Sequence, residues 1–460
     1  MKNSFLLFGL LLLFSPVFGQ EIIGSWAGEL DIQGTKLPII FNIKSSETGF
    51  SATMDSPSQG AKDIPVGKTT FENNLLVLDA SNMKIQYKGT LKNDKIEGAF
   101  SQGDMSLPLV LSRAKEGQTK LNRPQTPKPP FDYNIEDVTF KNPIDSNLLA
   151  GTLTTPRNKK DFPVVVMITG SGLQNRDEEV FGHKIFWVIA DDFAKKGIGV
   201  LRLDDRGIGG SEAGNVIPTS QNFSTDISTA VNFLAARGYK NIGLAGHSEG
   251  GMIAPMVASQ NDKVKFVISM AGPGIPIDQL LQLQSKSIAK LQGATDEEIK
   301  RNEVMNTKIY DLIKKSKTND LKAELKAFLM EEFKKLPKEE QPAEKDFENM
   351  IENEAKKMAN PWFVYFLKFN PDEYWSKVKV PVLALNGSLD SQVSAKENLA
   401  GIKASLEKAK NKSFEIVECP NMNHPFQEAK TGAVSEYAEI EQSISPIVLD
   451  KMSSWILKLK

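Results

Sequence analysis

The pentapeptide Gly246-His247-Ser248-Glu249-Gly250 offers a serine hydroxyl a place to act as a nucleophile. Asn241 to Ala245 precede it as a short apolar stretch that reads as a buried strand. The small, apolar residues Gly251 to Ala258 follow it and read as a buried helix. A G-x-S-x-G between strand and helix makes a turn so tight that the hydroxyl projects into a cleft. Its glycines are needed where neighbouring backbone would clash with a Cβ. A serine hydroxyl is a poor nucleophile until an imidazole takes its proton, and the chain holds three histidines. His247 adjoins the nucleophile and leaves the turn in another direction. His183 precedes the elbow, whereas the order on this architecture is nucleophile, acid, histidine. His424 remains, on a loop after the strand-like run Ser413 to Cys419. Read alone it is a surface loop histidine. The acid is expected after a strand upstream of it, and Pro381 to Leu385 leads through Asn386-Gly387 into Asp390. Asp390 would hold the imidazole tautomer and stabilise the imidazolium; read alone it is a turn aspartate.

A second group of residues suits an oxyanion. Pro163 to Thr169 is a continuous β-branched run, the pattern of a strand buried on both faces. It breaks into Gly170-Ser171-Gly172, whose backbone can aim an N–H at developing negative charge. Ser171 is the favoured donor there, with Gly172 next, and the N–H of Glu249 is the other donor. Ile198 to Leu203 reads as another buried strand, running into Asp204-Asp205-Arg206-Gly207-Ile208-Gly209-Gly210-Ser211. That turn lacks both a Walker lysine and G-x-G-x-x-G spacing, so it reads as a structural loop.

The segments ITGSGLQNRDE, LRLDDRGIGGSE, GHSEGG, LNGSLD and NMNH resemble the ordered motifs of the α/β-hydrolase superfamily. They are most similar to secreted bacterial esterases of the serine aminopeptidase and prolyl oligopeptidase-like branch. The resemblance covers roughly Phe131 to Lys460. It implies an α/β fold, a mostly parallel eight-stranded sheet flanked by helices, with a helical cap between its sixth and seventh strands. Ser248, Asp390 and His424 match the family's triad positions. The HG or HGGG form of many relatives is here Thr169-Gly170-Ser171-Gly172.

The remaining elements must position that chemistry. At 460 residues the chain exceeds what one core usually serves, so two domains are expected. A net charge of −1 gives no electrostatic case for nucleic acid or an anionic membrane. Lys2, the apolar run Phe5 to Phe14 and the exit Val17-Phe18-Gly19 read as a signal peptide over residues 1–19, its apolar core being too short to span. Export to the periplasm or medium, with no stable membrane anchor, is the expectation. The single cysteine, Cys419, has no partner for an internal disulfide and reads as a buried structural thiol.

Residues 20–114 show short alternating runs: Leu30 and Ile32, Leu37, Ile39 and Phe41, Leu76 and Leu78, Ile85 and Tyr87, then Leu107, Leu109 and Leu111. Turns at Gln33-Gly34, Asn73-Asn74, Asn93-Asp94 and Gln102-Gly103 space them as an antiparallel meander, a small barrel or sandwich. Substrate binding, dimerisation and simple packing are all open to it. Residues 115–130, with four prolines, read as a stiff linker to a hydrolase domain over 131–460. From about 275 to 360 the chain is helical and charged. Ile277, Leu280, Leu281, Ile288 and Leu291 share one face before Gly293, and Thr295 with Glu298 makes a capping box. The position of this insertion makes it a lid. It closes on Pro361 to Phe366, an aromatic cluster that is either core packing or the wall of a pocket for an apolar acyl or alcohol group.

Carboxylic ester hydrolysis through an acyl-enzyme is the leading reading, on a small-molecule ester. Peptide or amide hydrolysis by the same triad is the alternative. An aminopeptidase would also need an acidic group near the nucleophile, and Glu249 and the Asp177-Glu178-Glu179 run stand close in sequence terms. A non-catalytic binding protein on this scaffold would have no need of all three triad residues. Scattered histidines and a lone cysteine build no metal site, and no cofactor is expected.

Overall fold

A computed structural model describes residues 22–32, 35–46, 49–56, 61–103, 105–114, 122–157, 159–335 and 344–459. The expected signal peptide, the Gln33-Gly34 turn and residues 115–121 of the expected linker lie outside them. The chain forms two compact units that divide at Asn122.

The first unit is a closed barrel of β1 (Gly24–Ile32), β2 (Thr35–Ser46), β3 (Gly49–Ser56), β4 (Ala61–Glu72), β5 (Leu75–Ala80), β6 (Ile85–Lys92), β7 (Lys95–Gln102) and β8 (Met105–Arg113), each antiparallel to the next. It closes where β1 meets β8, Trp26 opposite Arg113 and Ala27 opposite Ser112. One residue in two faces inward, so Trp26, Leu30, Phe41, Leu78, Tyr87, Phe100 and Leu111 fill the interior. The buried Tyr87 hydroxyl is satisfied by the carbonyl oxygens of Ile96 and Leu109, at 3.0 and 3.2 Å.

The second unit carries an eight-stranded sheet. Its strands are β9 (Tyr133–Lys141), β10 (Leu148–Pro156), β11 (Val164–Ile168), β14 (Gly199–Leu203), β15 (Ile242–His247), β16 (Val264–Met270), β17 (Val382–Gly387) and β18 (Phe414–Cys419). A separate two-stranded ribbon of β12 (Glu179–Val180) and β13 (His183–Lys184) lies between β11 and β14 in the chain. The spatial order is β18-β17-β16-β15-β11-β14-β10-β9. Only β10 runs antiparallel to its neighbours; from β14 to β18 every pair is parallel.

Both faces of this sheet are covered, which is why its central strands read as unbroken apolar runs rather than alternating ones. In β11, Val164, Val166 and Ile168 face one core, with α2 (Ser220–Ala236), α3 (Glu249–Ala258) and α10 (Ala395–Lys408) packed on it. Val165 and Met167 face the other, under α1 (Ile185–Lys195) and α12 (Pro446–Lys458). Cys419 ends β18 as a buried free thiol, and burial pushes its pKa up to about 11.

Between β16 and β17, the sixth and seventh strands of this sheet, stand α4 (Ile277–Leu291), α5 (Asp296–Lys315), α6 (Leu321–Phe333), α7 (Glu344–Met358), α8 (Pro361–Lys368) and the short α9 (Asp372–Trp375). Helices α5 to α8 share a small core of their own around Ile313, Leu325, Ile351 and Leu367. Thr295 and Glu298 cap α5 reciprocally. A last short helix, α11 (Glu436–Glu439), precedes α12. Among the described residues no helix is long and apolar enough to cross a membrane.

Part of the proline-rich stretch is bound rather than free to act as a spacer. Arg123 donates to the carbonyls of Phe181, Ala438 and Ile440. The Gln125 side chain bonds the backbone of Ser443 and Ile444. Proline spacing signals a stiff chain, and it carries no information on where that chain lies.

Candidate active site

Ser248 stands between β15 and α3 with φ 52° and ψ −120°. A non-glycine residue in that region is strained, and the surroundings hold it there. A Cβ on Gly246 would come within 2.0 Å of the Gly250 carbonyl oxygen, and one on Gly250 within 2.1 Å of the Ile168 oxygen. Only glycine fits at either place, so the turn between strand and helix is as tight as the pentapeptide implies.

Asp390 follows β17 and is buried. Its Oδ1 accepts the backbone N–H groups of Gln392 and Val393, both at 2.8 Å, which fixes the carboxylate. Its Oδ2 lies 2.7 Å from His424 Nδ1. That contact leaves His424 Nε2 as the nitrogen with no bonded partner among the described residues. Ser248 and His424 line one cavity of about 370 Å³ together with Ser171 and Glu249. No hydrogen bond joins the Ser248 hydroxyl to the imidazole; catalytic contacts of this kind often tighten only on binding. Gly172 is exposed and lies outside the cavity lining.

The backbone N–H of Glu249 opens α3, where helix amides have no intrahelical acceptor. Gly170, by contrast, gives its N–H to Glu178 Oε1 at 2.7 Å, so of Gly170 and Ser171 only Ser171 keeps an uncommitted amide. Asp205 braces this loop from below, accepting from Thr169 Oγ1 and Gln174 N at 2.8 Å each. Its burial pushes that carboxyl up to about 7.

The Glu249 side chain turns inward. It accepts from Ser220 Oγ at 2.6 Å and from the Trp362 indole at 2.9 and 3.1 Å. Burial raises its pKa, and the hydrogen bonds only partly offset that. Trp362 belongs to α8, so the helical insertion is bonded to the residue after Ser248. With Phe363, Phe366, Leu280 and Leu281 it forms an apolar wall of the cavity. The aromatic cluster is therefore a pocket wall, and Phe366 and Leu367 pack into the protein's cores as well.

The Asp204 to Ser211 turn is structural. Asp204 pairs with Arg176 at 2.6 Å and accepts from Gly210 N, and the Ser211 hydroxyl bonds the Asp204 carbonyl.

His183 is fully buried and does not line the cavity of Ser248 and His424. Its Nδ1 lies 2.9 Å from Ser443 Oγ and its Nε2 2.9 Å from the Tyr437 carbonyl, beside Gln427. Gln427 in turn bonds Asn423, the neighbour of His424. His183 thus belongs to the scaffold of the His424 loop, which order along the chain alone does not reveal. Burial lowers its pKa to about 4, below the usual imidazole value near 6.5. Between those values the unfolded chain binds the proton and the folded one does not, so stability falls as pH drops from about 6.5 to about 4. The loss amounts to about 3 kcal/mol. Denaturant titrations across this range should show that slope, and His183→Gln should flatten it while lowering stability at neutral pH.

A serine in a tight strand-turn-helix elbow, a carboxylate-held histidine at the carboxyl edge of a mostly parallel sheet, and a helical insertion mark a class of enzyme. A family model described as serine aminopeptidase, S33, matches residues 184–325. Esterase EstD of Thermotoga maritima is 25% identical over 366 residues, 78% of this chain and 78% of that protein. Solved structures similar to the chain include esterase Pf2001 of Pyrococcus furiosus, at 16% identity and TM-score 0.40 over 70% of this chain and 89% of that one. A proline iminopeptidase of Mycobacterium smegmatis is similar at 15% identity and TM-score 0.42, over 70% and 98%. The chain has the α/β-hydrolase fold and is a serine hydrolase similar to these proteins.

Proposed function

We propose that this hydrolase cleaves carboxylic esters through an acyl-enzyme, with Ser248 as nucleophile, His424 as base and then acid, and Asp390 as the group that orients His424. The observation that carries the reading is the shared cavity: the strained Ser248 lines it beside His424, whose other nitrogen is held by Asp390 at 2.7 Å. Ser248 Oγ attacks the ester carbonyl carbon while His424 Nε2 takes its proton. The carbonyl oxygen becomes an oxyanion facing the N–H groups of Ser171 and Glu249. Collapse expels the alcohol, which leaves with the proton from His424. A water, deprotonated by the same nitrogen, then attacks the acyl carbon and frees Ser248.

The acidic groups near the nucleophile favour esters over peptides with a free amino terminus. Glu249 is occupied by Ser220 and Trp362. Asp177 is paired with Arg202 and Lys184, and Glu179 lies 3.6 Å from Lys184. One Glu178 oxygen is bonded twice, and the other is sealed from solvent. Glu178 and Glu249 line the cavity, but both are committed to partners within the protein rather than left for a substrate ammonium.

The wall of Leu280, Leu281, Trp362, Phe363 and Phe366 suits an apolar acyl or alcohol group, and among the described residues no lysine or arginine lines the cavity. Nitrophenyl esters of rising chain length, assayed beside aminoacyl and peptidyl anilides, test the reading. Neutral esters should be turned over at least about a hundredfold faster than any anilide. Trp362→Ala should lower kcat/KM most for the longer acyl chains. Faster cleavage of aminoacyl anilides would make the enzyme a peptidase.

A further inference from the structure

Resting on the hydrolase reading above, we propose that Glu178 and His247 act as a positioning clamp, a carboxylate–imidazolium pair that fixes the oxyanion loop and the His424 loop relative to Ser248. Neither residue touches the reacting atoms. Glu178 Oε1 accepts the Gly170 N–H at 2.7 Å and lies 3.0 Å from His247 Nδ1. His247 Nε2 lies 3.0 Å from the backbone carbonyl oxygen of His424. One unbroken chain of bonds thus runs from the loop after β11, through the last residue of β15, to the loop after β18.

The acceptors decide the protonation. A backbone carbonyl can only accept, and an ionised carboxylate can only accept. With Glu178 ionised, a ring bonded to both donates from both nitrogens, so the proposed clamp is a His247 imidazolium with Glu178 as its counter-ion. Burial opposes that charge, but the adjacent Glu178 carboxylate outweighs it and holds the His247 pKa above the ordinary imidazole value. The His247 ring centre is 4.6 Å from that of His424, close enough to fix its placement through packing as well as through the carbonyl.

Two further features suit a positioning role. Glu178 adopts φ 47°, a left-handed conformation disfavoured for a side-chain-bearing residue. It nevertheless delivers a buried carboxylate under the cleft. Gly170 packs between that carboxylate and the nucleophile: a Cβ there would lie 3.1 Å from Glu178 Oε1 and 3.3 Å from Ser248 Cβ. Any shift of Glu178 therefore moves the backbone that carries Ser171.

The consequence is specific to charge. Glu178→Gln keeps the size and an acceptor oxygen, but removes the counter-ion. A buried His247 then sheds a proton and retains a single N–H, and one of its two links is lost. Displacing a reacting geometry by about an ångström costs on the order of 10²-fold in rate. In the full-length protein, Glu178→Gln should lower kcat for a soluble nitrophenyl ester by about 10- to 100-fold and change KM by less than about threefold. A residue that only fills space would tolerate this isosteric change.

With three histidines in the chain, nitrogen NMR of histidine-labelled protein gives an independent reading. In the wild type both His247 ring nitrogens should be protonated at neutral pH, and in Glu178→Gln one should be bare. A bare nitrogen in the wild type, or a Glu178→Gln enzyme with kcat within about threefold of wild type, would overturn the clamp. Ser248→Ala in the same assay separates the two claims: if it leaves the esterase intact, the hydrolase reading has failed, not the clamp alone.

Discussion

Ser248→Ala should lower kcat on a soluble nitrophenyl ester by about 10⁴-fold or more, with the fold unchanged. The size of the effect follows from the mechanism. Without the hydroxyl no acyl-enzyme forms, and what survives is the slow attack of water on an ester held near Ser171 and Glu249. The substitution is well suited to the test because it leaves the elbow alone. The strained backbone at Ser248 is imposed by Gly246, Gly250 and the contacts around them, and alanine accepts those constraints as serine does. Circular dichroism and thermal melting of the variant should overlay the wild type. Retention of more than about a tenth of the activity would remove Ser248 from the mechanism.

His424→Ala should be nearly as damaging, because nucleophile and base work as one unit and neither is useful alone. Asp390→Asn should fall between, at about 10²- to 10⁴-fold, since an amide still meets His424 Nδ1 but favours the wrong tautomer. The buried carboxylate also receives the Gln392 and Val393 amides, so Asp390→Ala would confound chemistry with loss of that turn. His183→Gln supplies the contrast. It should reduce activity modestly through the scaffold of the His424 loop, and its deficit should shrink at lower temperature. The Ser248 and His424 deficits should persist. An essential His183 beside a dispensable His424 would reverse the assignment of the base.

Ser248 and Asp390 were legible as candidates because each follows a strand buried on both faces, whereas His424 follows the partly exposed edge strand β18 and was singled out by its order along the chain. Strands buried on both faces announce themselves as unbroken apolar runs, and chemistry in open α/β sheets gathers at their carboxyl ends. Val164 to Ile168 and Val382 to Gly387 are of this kind. The β-domain was legible as a meander but not as a barrel rather than a sandwich. Alternation fixes which residues face inward, whereas closure depends on β1 reaching β8.

Contacts between segments distant in the chain leave no local signal. Glu178 and His247 are 69 residues apart, and His247 and His424 are 177 apart. Glu178 stood out only as one of three consecutive acidic residues, a pattern that suggests a solvated face or an ammonium site. Its buried, doubly bonded oxygen depends on the turn that brings it back beneath Gly170. The Glu249 side chain is similar. Its place after Ser248 points to its N–H as the proposed second oxyanion donor, while the carboxylate's partner, Trp362, lies 113 residues away in the helical insertion.

Labelling with a fluorophosphonate tests the central claim most directly, since the reagent reacts only with a serine that an adjacent base has activated. Mass spectrometry of the digested protein should find one adduct per chain, on the peptide carrying Ser248, appearing in step with the loss of esterase activity. It should be absent from His424→Ala. An enzyme fully inactivated with its adduct elsewhere, or one that keeps its esterase activity with Ser248 modified, would contradict the account.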